Sequence, residues 1–251
     1  MNIAVLSDPG KERMRNEDNY YCQQHGEVTI FAVADGMGGH QAGDAASMQA
    51  VRSLKEFIES SNCGLPNLSS EDLFYLAENT VKKANLEIYN SSLSDPGKTG
   101  MGTTFTVGFL YGKKLFLAHV GDSRAYRVTD EEMERLTRDH SVVEEMVIEG
   151  RLSPEEARLH PQRNVLTRAL GTLPNIDVDV LEVELNNGEG LLFCTDGLTS
   201  HLNEEEIQRI IMEEKDQPKE AAEKMVNLAN SRGGQDNITL ILAIDAGRSR
   251  N

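Results

Sequence analysis

The stretch AVADGMGGH at residues 32–40 is an apolar run that ends in an aspartate and then breaks into glycines. A core strand that ends in Asp35 places a carboxylate at the rim of the core, where the following glycines have no side chains to cover it. The same pattern recurs at Asp122 in AHVGDSR and at Asp196 in LLFCTDG, and Asp236 in GGQDNITLILAI precedes a fourth apolar run. Four apolar segments therefore each carry a carboxylate at one end.

Like charges at one place resist ionisation, so a site that collects these four carboxylates needs cations. Carboxylate oxygens, and a backbone carbonyl exposed by the glycine after Asp35, are hard ligands that favour Mg²⁺ or Mn²⁺ over zinc. The three cysteines and six histidines do not have the spacing of zinc ligands. A lone Asp-Gly pair is usually a turn, so any one of the four could be purely structural. Their joint occurrence favours a metal site.

Composition limits the classes of protein to consider. The 251 residues, 39% of them hydrophobic, are enough for one sizeable core, and we expect a single domain over residues 1–251. The net charge of −16 argues against nucleic acid as a partner. Cys22, Cys63 and Cys194 are an odd number at wide spacing, which indicates a reducing cytoplasm rather than a disulfide framework. Without a signal peptide or a long apolar run, we expect a soluble, unexported protein with no membrane partner.

Strand and helix patterns are intermixed along the chain, without a linker that would divide it. The patterns predict strands at 1–7, 19–34 with a turn at His25-Gly26, 177–185, 190–195 and 238–244, helices at 41–60, after Ser69, at 203–213 and at 218–231, and an antiparallel meander over 102–136. Capping-box patterns that begin at Ser141 and Ser153 predict two short helices. Because strand runs and helix pairs are segregated, we expect an α+β fold with helices outside antiparallel sheets.

Several other chemistry-bearing residues are interpreted as structural. The GKTG stretch at 97–100 lacks the leading glycine of a phosphate-binding loop, because that position is Ser92. Cys194 lies inside an apolar run and is interpreted as a small core residue. The acidic residues of a predicted edge strand are assigned to its solvated face, and they are Asp177, Asp179, Glu182 and Glu184. Four histidines are interpreted as strand, loop or cap residues, and they are His25, His119, His160 and His201.

Eight segments follow one another in the order that characterises a known family. They cover nearly the whole chain and are SDPGKERMRNED, FAVADGMGGHQAGDAAS, GTTFTV, LFLAHVGDSRAYR, LTRDHS, a region ending in NVLTRALG, LLFCTDGL and GGQDNITLIL. Through them the chain resembles the metal-dependent protein serine/threonine phosphatases of the PPM (type 2C) family, in their compact bacterial form. The resemblance implies a four-layer α-β-β-α sandwich, with two central antiparallel β-sheets flanked by helix pairs. It also implies a variable flap at about 141–170 beside the active site.

The resemblance implies a metal centre with two ions at its core. Asp35 would bridge the two metal ions, and the carbonyl of Gly36 would bind one of them. Asp196 and Asp236 would complete the protein ligands of the first ion. The implied cofactors are Mn²⁺ or Mg²⁺, and activity would depend steeply on their addition.

The same match implies roles for residues around this core. Asp18 would hold the second ion largely through water, with Glu17 beside it as a supporting residue. Asp122 and Asp196 would bind a weaker third ion. Arg13 would grip the substrate phosphate, because a planar guanidinium can pair with two phosphate oxygens.

The implied reaction is direct hydrolysis of phosphoserine or phosphothreonine in proteins by a metal-activated water, without a covalent phosphoenzyme. Many eukaryotic relatives have a histidine directly after the Asp-Gly pair as the proposed acid for the leaving group, whereas this chain has Met37. His40 is a candidate for that acid, and it is equally a candidate for orienting the loop or capping the helix that follows.

Two other functions stay open at the level of sequence. One is a catalytically weak phosphatase-like module for binding or regulation, and the other is a phosphatase of small phosphoesters. The presence of Asp35, Asp196 and Asp236 together favours the active protein phosphatase. Bacterial relatives commonly oppose a Ser/Thr kinase, so the implied partners are phosphorylated proteins and such a kinase, and we expect a monomer.

Overall fold

The computed structural model of the chain describes residues 1–38, 42–60 and 69–245. Its strands are β1 (Asn2–Asp8), β2 (Asp18–His25), β3 (Val28–Met37), β4 (Gly102–Thr103), β5 (Phe105–Tyr111), β6 (Lys114–Val120), β7 (Arg124–Val128), β8 (Met133–Arg135), β9 (Asp179–Glu184), β10 (Gly190–Cys194) and β11 (Ile238–Ile244). Its helices are α1 (Ala42–Ser60), α2 (Ser70–Ser94), α3 (Val142–Ile148), α4 (Pro154–Leu159), α5 (Asp196–Thr199), α6 (Glu204–Glu213) and α7 (Pro218–Ser231). The predicted strands and long helices are therefore present, with ends that differ by a few residues.

Two antiparallel sheets form the centre of the structure. One has the strand order β1-β11-β10-β7-β8, and the other has the order β2-β3-β5-β6-β9 with β4 paired to β3. Apolar side chains fill the space between the sheets, where the rings of Phe31 and Phe193 stack with their centroids 5.4 Å apart. Burial of large aromatic side chains of this kind supplies much of the free energy that holds two sheets together.

Helices cover the outer face of each sheet. Helices α1 and α2 pack on the β2-β3-β5-β6-β9 sheet through a core that includes Leu54, Ile88 and Phe109. Helices α5, α6 and α7 pack on the other sheet through a core that includes Ile207, Met225 and Leu240. The layers thus run helix, sheet, sheet, helix, which confirms the predicted α+β four-layer α-β-β-α sandwich.

Side-chain caps mark the first turns of α2, α3 and α4, at the serines that the sequence predicts. At α2 the Oγ of Ser69 accepts from the N–H of Asp72, and the Asp72 carboxylate accepts from the N–H of Ser69 at 2.9 Å. Ser153 and Glu156 form the same reciprocal pair at α4. At α3 the Oγ of Ser141 accepts from the third helical N–H, at 3.3 Å. Such caps contribute roughly 1 kcal/mol each and fix where a helix begins.

The predicted meander over 102–136 is divided between the two sheets. Strands β5 and β6 pair in one sheet and β7 and β8 in the other, so the chain crosses between sheets at residues 121–123. Gly121 adopts a φ of 115° at this crossing, and a Cβ there would lie 2.5 Å from the Cβ of Thr104. Only glycine fits such a turn without strain, and Asp122 follows it directly.

The edge strand β9 differs in part from its interpretation. It does lie at the edge of its sheet, and Glu182 on it pairs with Lys114 of β6 at 2.6 Å. Asp179, however, accepts a hydrogen bond from Arg168 at 2.8 Å and lies 3.1 Å from the Nε2 of His140. Asp179 keeps 42% of its side chain exposed, as that interpretation expects, and it also makes contacts that the interpretation did not include. No helix in the described ranges combines the length and the apolar character needed to span a membrane.

Candidate metal centre and active site

Strand ends from both sheets bring the predicted carboxylates together. Asp18 begins β2 and faces Asp35 of β3 in the antiparallel register. Asp196 is the first residue of α5, directly after β10. Asp35, Asp122, Asp196 and Asp236 line one cleft with a volume of about 740 Å³. The four carboxylates that the sequence singled out thus meet at one place between the two sheets.

The backbone around Asp35 is held on both sides. Its N–H donates to the Oγ1 of Thr104 at 2.9 Å, and its carbonyl accepts from the Oγ1 of Thr103 at 2.8 Å. Gly36 donates its N–H to the carbonyl of Glu17 at 3.2 Å. A Cβ on Gly36 would lie 2.1 Å from the carbonyl oxygen of Gly43, so the position accepts only glycine. The close approach of the Gly43 carbonyl explains why a glycine follows Asp35.

Burial and mutual repulsion raise the pKa of the clustered carboxyl groups. Burial raises the pKa of Asp35 well above its usual range, and the neighbouring Asp18 and Asp196 raise it further. Burial raises the pKa of Asp122 well above its usual range too, with Asp196 as the next cause. Burial followed by Asp236 raises the pKa of Asp196 to about 6. Without a cation, these groups resist full ionisation near neutral pH.

Asp18 lies behind this group and is buried, with 6% of its surface exposed. Its Oδ2 accepts a hydrogen bond from the Oγ1 of Thr195 at 2.8 Å. Burial raises its pKa to about 7, against the lowering effect of hydrogen bonds from Thr239 and Thr195. The acid in the NED segment is therefore a buried residue of the carboxylate cluster.

The donor atoms fit a hard divalent cation. The Oδ1 atoms of Asp18 and Asp196 are buried and have no hydrogen-bond partner in the described part of the chain. A buried carboxylate oxygen without a partner is costly, and a nearby cation would offset that cost. Carboxylate oxygens are hard donors of the kind that Mg²⁺ and Mn²⁺ prefer.

Side chains alone do not form a closed cage. Among residues 1–38, 42–60 and 69–245, no three histidine, cysteine, aspartate or glutamate side chains are arranged to hold a metal ion by themselves. This is compatible with Mg²⁺, which usually keeps several waters and binds through one or two carboxylates. Any such ion in the cleft would therefore depend on water and on the backbone carbonyl of Gly36 as further ligands.

Arg13 lies at the cleft and is paired with a cluster carboxylate. Its Nη2 donates to the Oδ2 of Asp236 at 2.8 Å, and the two side chains are 53% and 31% exposed. The loop that carries Arg13 is fixed to the segment before β11, because the N–H groups of Lys11 and Glu12 both donate to the carbonyl of Gly234. The predicted phosphate-binding arginine is thus at the cleft, in reach of a carboxylate.

Sequence reasoning missed Asn237, which secures the same loop. Asn237 is 4% exposed, and its Nδ2 donates to the carbonyls of Pro9 and Arg15, each at 2.9 Å. Its Oδ1 accepts from the N–H of Glu17 at 2.8 Å. Its position directly after Asp236 is the one signal in the sequence that could have drawn attention to it.

One wall of the cleft, here called the flap wall, is formed by part of the predicted flap and the loop after it. Residues 164–169, with Thr172 and Leu173, line this wall. His140, directly before the flap, accepts at Nδ1 from the N–H of Gly121 at 3.1 Å. A network of Arg168, Asp179 and His140 therefore connects the flap to the loop of Asp122, and sequence reasoning did not find it.

Two further residues named in the sequence analysis lie at the cleft. Met37 and Glu17 both line the cleft. Burial raises the pKa of Glu17 above its ordinary value. His40 lies outside the described residues, so its candidacy as the leaving-group acid stays a prediction. His119 is fully buried and bonded to Thr106, in agreement with its structural interpretation.

Comparisons with known proteins agree with these observations. The family model "Protein phosphatase 2C" matches residues 11–238. The serine/threonine phosphatase stp of Listeria innocua is 37% identical over 243 residues, which cover 96% of this chain and 95% of that protein. The crystal structure of the serine/threonine phosphatase Stp1 from Staphylococcus aureus is similar, with a TM-score of 0.90, 32% identity and coverage of 98% of this chain and 95% of that one.

A third comparison concerns metal ions. The catalytic domain of the serine threonine protein phosphatase PstP, solved in complex with 2 manganese ions, has a TM-score of 0.82 and 32% identity, and 97% of each chain is covered. The family resemblance inferred from the eight segments is thereby confirmed. On the match of its sequence and of its fold, this chain belongs to the protein phosphatase 2C family and is a phosphoprotein phosphatase.

Proposed function

We propose that the cleft lined by Asp35, Asp196 and Asp236 is the active site at which this metal-dependent serine/threonine phosphatase hydrolyses phosphoserine and phosphothreonine in proteins. The observation that carries this proposal is the convergence of four carboxylates, from both sheets, beside Arg13 in one cleft. Such a group of anions would repel a phosphate unless cations reversed the local potential.

The ligands follow from the positions of the donors. Asp35, the carbonyl of Gly36, Asp196 and Asp236 would hold ions at the core of the site. Asp18 would act on a second ion through water, because it is buried behind the cleft. When bound, Mn²⁺ or Mg²⁺ would lower the pKa of a water and neutralise charge on the phosphate. A third, weaker ion would bind between Asp122 and Asp196.

The chain's own residues would orient the substrate. Arg13 donates toward the cleft and can exchange its exposed partner, the Asp236 carboxylate, for two phosphate oxygens. Thr103 and Thr104 hold the backbone of Asp35 and so keep its carboxylate in place during the reaction. His40 would be the candidate donor of the proton for the leaving Ser or Thr oxygen, and its alternative role is to orient the loop or cap the helix that follows.

The surroundings of the site support further parts of the proposal. The segment 141–170 would be the flap that tunes the choice of phosphoprotein, since its residues 164–169 line the same cleft as the carboxylates. The phosphoproteins would be products of a Ser/Thr kinase. We also propose that the chain is a single domain, acts as a monomer and works in the cytoplasm, where its thiols Cys22 and Cys194 would stay reduced.

The experiment that tests this function is hydrolysis of a phosphothreonine peptide with Mn²⁺ or with a chelator, for the native chain, Asp35→Asn and Asp236→Asn. We expect turnover that needs the metal and that falls more than about 100-fold in both variants, because each removes a ligand at the reacting centre. Asp177→Asn is the matched control, since Asp177 is an exposed acid outside the cleft. Metal-independent turnover, or equal loss in the control, would contradict the proposal.

A further inference from the structure

The loop that follows the flap is attached to a helix on the outside of the molecule. Residues 171–174 carry Thr172 and Leu173, which line the cleft wall. Leu173 is 60% exposed although it is apolar. Within the part of the chain that the structure describes, the main-chain hydrogen bonds of residues 171–174 run to one side chain, Asn85 of α2.

Asn85 uses both ends of its carboxamide on this loop. Its Oδ1 accepts from the N–H of Gly171 at 2.9 Å. Its Nδ2 donates to the carbonyl of Leu173 at 3.0 Å and to that of Pro174 at 3.3 Å. The loop offers an N–H to the oxygen end of the amide and carbonyls to its nitrogen end, so only one orientation of the amide satisfies all three bonds. These bonds hold the loop backbone in one position relative to α2.

Burial makes this attachment strong. Asn85 is 1% exposed and lies on the face of α2 that also buries Val81, Ala84 and Ile88. A buried amide that lost its partners would cost roughly 1–3 kcal/mol, so the loop and the helix hold each other in register. An exposed polar pair contributes at most about 1 kcal/mol, so burial strengthens this attachment.

The loop also packs closely on the same turn of α2. Gly171 has a φ of 85°, and a Cβ there would lie 2.4 Å from the Cγ2 of Ile88. Ile88 and Asn85 are three residues apart and so lie on one side of the helix. Contact of both residues with Gly171 places the backbone of the loop in a single position against α2.

We propose that Asn85 is a positioning residue for the substrate, which holds the 171–174 loop so that Leu173 contacts the polypeptide next to the phosphorylated residue. The inference rests on the proposed function, because it concerns the flap wall of that same cleft, to which Leu173 belongs. A phosphoprotein extends past the reacting phosphate and meets this wall, whereas a small aryl phosphate needs only the carboxylate floor and Arg13. The substrate residue that contacts Leu173 would have an apolar side chain, because Leu173 is itself apolar and exposed.

The test measures kcat and KM of Asn85→Leu with a phosphothreonine peptide that has leucine beside the phosphothreonine, and with a small aryl phosphate. Leucine has the same number of side-chain heavy atoms as asparagine and the same branch at Cγ, but it cannot form hydrogen bonds with the loop. We expect KM for the peptide to rise about tenfold, with kcat and the aryl phosphate activity changed less than about twofold. Thr80→Val is the matched control, because Thr80 is equally buried in α2 and its hydroxyl donates within the helix, to the carbonyl of Leu76.

Leu173→Ser provides a second test that does not depend on the folding of Asn85→Leu, because Leu173 is exposed. It should raise KM for the same peptide, and in the Asn85→Leu background it should add little, since the loop is already displaced. An unchanged peptide KM in Leu173→Ser, or equal effects of Asn85→Leu and Thr80→Val, would overturn the inference. A native chain that hydrolyses the aryl phosphate but no phosphopeptide would instead refute the proposed function, and the inference with it.

Discussion

Arg13 donates a hydrogen bond to Asp236 at 2.8 Å, and so joins two residues that are 223 positions apart in the chain. The same Asp236 carboxylate is a proposed metal ligand, and the same guanidinium is the proposed phosphate-binding group. Both side chains are partly exposed, and an exposed ion pair is worth at most about 1 kcal/mol. The pair can therefore open readily when a metal and a phosphate offer each partner a stronger contact.

The first prediction concerns substrate binding. Arg13→Ala should lower kcat/KM for a phosphothreonine peptide by about 10- to 100-fold, because a charge-assisted hydrogen bond to phosphate contributes roughly 1.5–3 kcal/mol. Arg13→Lys should recover only part of the loss, because an ammonium cannot pair with two oxygens at once. Steady-state kinetics at saturating Mn²⁺ measures both variants.

A matched control for this prediction is Arg15→Ala, two residues away in the same exposed loop. The backbone carbonyl of Arg15, and not its side chain, is what Asn237 binds. Equal losses of kcat/KM in Arg13→Ala and Arg15→Ala would show that general charge, rather than a specific grip on the phosphate, is responsible.

The second prediction separates the proposed role of Asp236 in metal binding from that of Arg13 in phosphate binding. Arg13→Ala frees the carboxylate of Asp236, so it should raise the affinity for Mn²⁺, by up to about fivefold, while it weakens peptide binding. Asp236→Asn should lower the affinity for Mn²⁺. Isothermal titration of Mn²⁺ into metal-free protein measures both, without any need for turnover. A lower Mn²⁺ affinity in Arg13→Ala would show that the arginine supports the metal site instead of competing with it.

The third prediction concerns the raised pKa of the buried Asp18. Its pKa is raised from 3.8 to about 7, so the native state keeps a proton that the unfolded state has already released. The contribution of Asp18 to the free energy of unfolding therefore falls as pH rises from about 4 to about 7. In chelator, the Tm of Asp18→Asn relative to wild type should be higher at pH 8 than at pH 5, by roughly 5 °C or more.

Added Mn²⁺ completes the test of Asp18. It should raise the Tm of the wild type at pH 8 more than that of Asp18→Asn, because the cation offsets a buried charge that the variant lacks. Thermal unfolding followed by circular dichroism serves both measurements. A Tm difference that stays constant between pH 5 and pH 8 would contradict the buried-charge explanation.

The carboxylate cluster could be predicted because each member marks the end of an apolar run, and that pattern is local in sequence. The division of the 102–136 meander between two sheets could not, since the turn at Gly121 resembles an ordinary hairpin turn until the partner strands are known. The same limit applies to Asn85, whose partners lie 86 to 89 positions away. In the sequence it is one polar residue in an amphipathic helix, and only the tertiary contact gives it a role.

The network of Arg168, Asp179 and His140 shows a different limit of prediction from sequence. Asp179 occupies a strand with alternating acids, a pattern that is typical of a solvated edge, and its neighbours in sequence give no sign of Arg168 or His140. Periodicity predicts which face a residue lies on, but it does not predict which loop will cross that face. His40 stays a prediction, because it lies outside the described residues.

The fourth prediction concerns His119, which is fully buried and donates from Nε2 to the carbonyl of Arg138 at 3.0 Å. Burial, followed by the neighbouring His140, lowers its pKa from 6.5 to about 4. The unfolded chain takes up a proton near pH 6.5 and the native ring does not, so the contribution of His119 to stability is fully present above that pH and falls as pH drops toward 4, by up to about 3 kcal/mol. His119→Gln keeps a donor for Arg138 but cannot be protonated. In urea unfolding with chelator, the free energy of unfolding of the variant relative to the wild type should therefore be higher at pH 5 than at pH 7.5, and an unchanged difference would mean that the native ring takes up its proton as readily as the unfolded chain does.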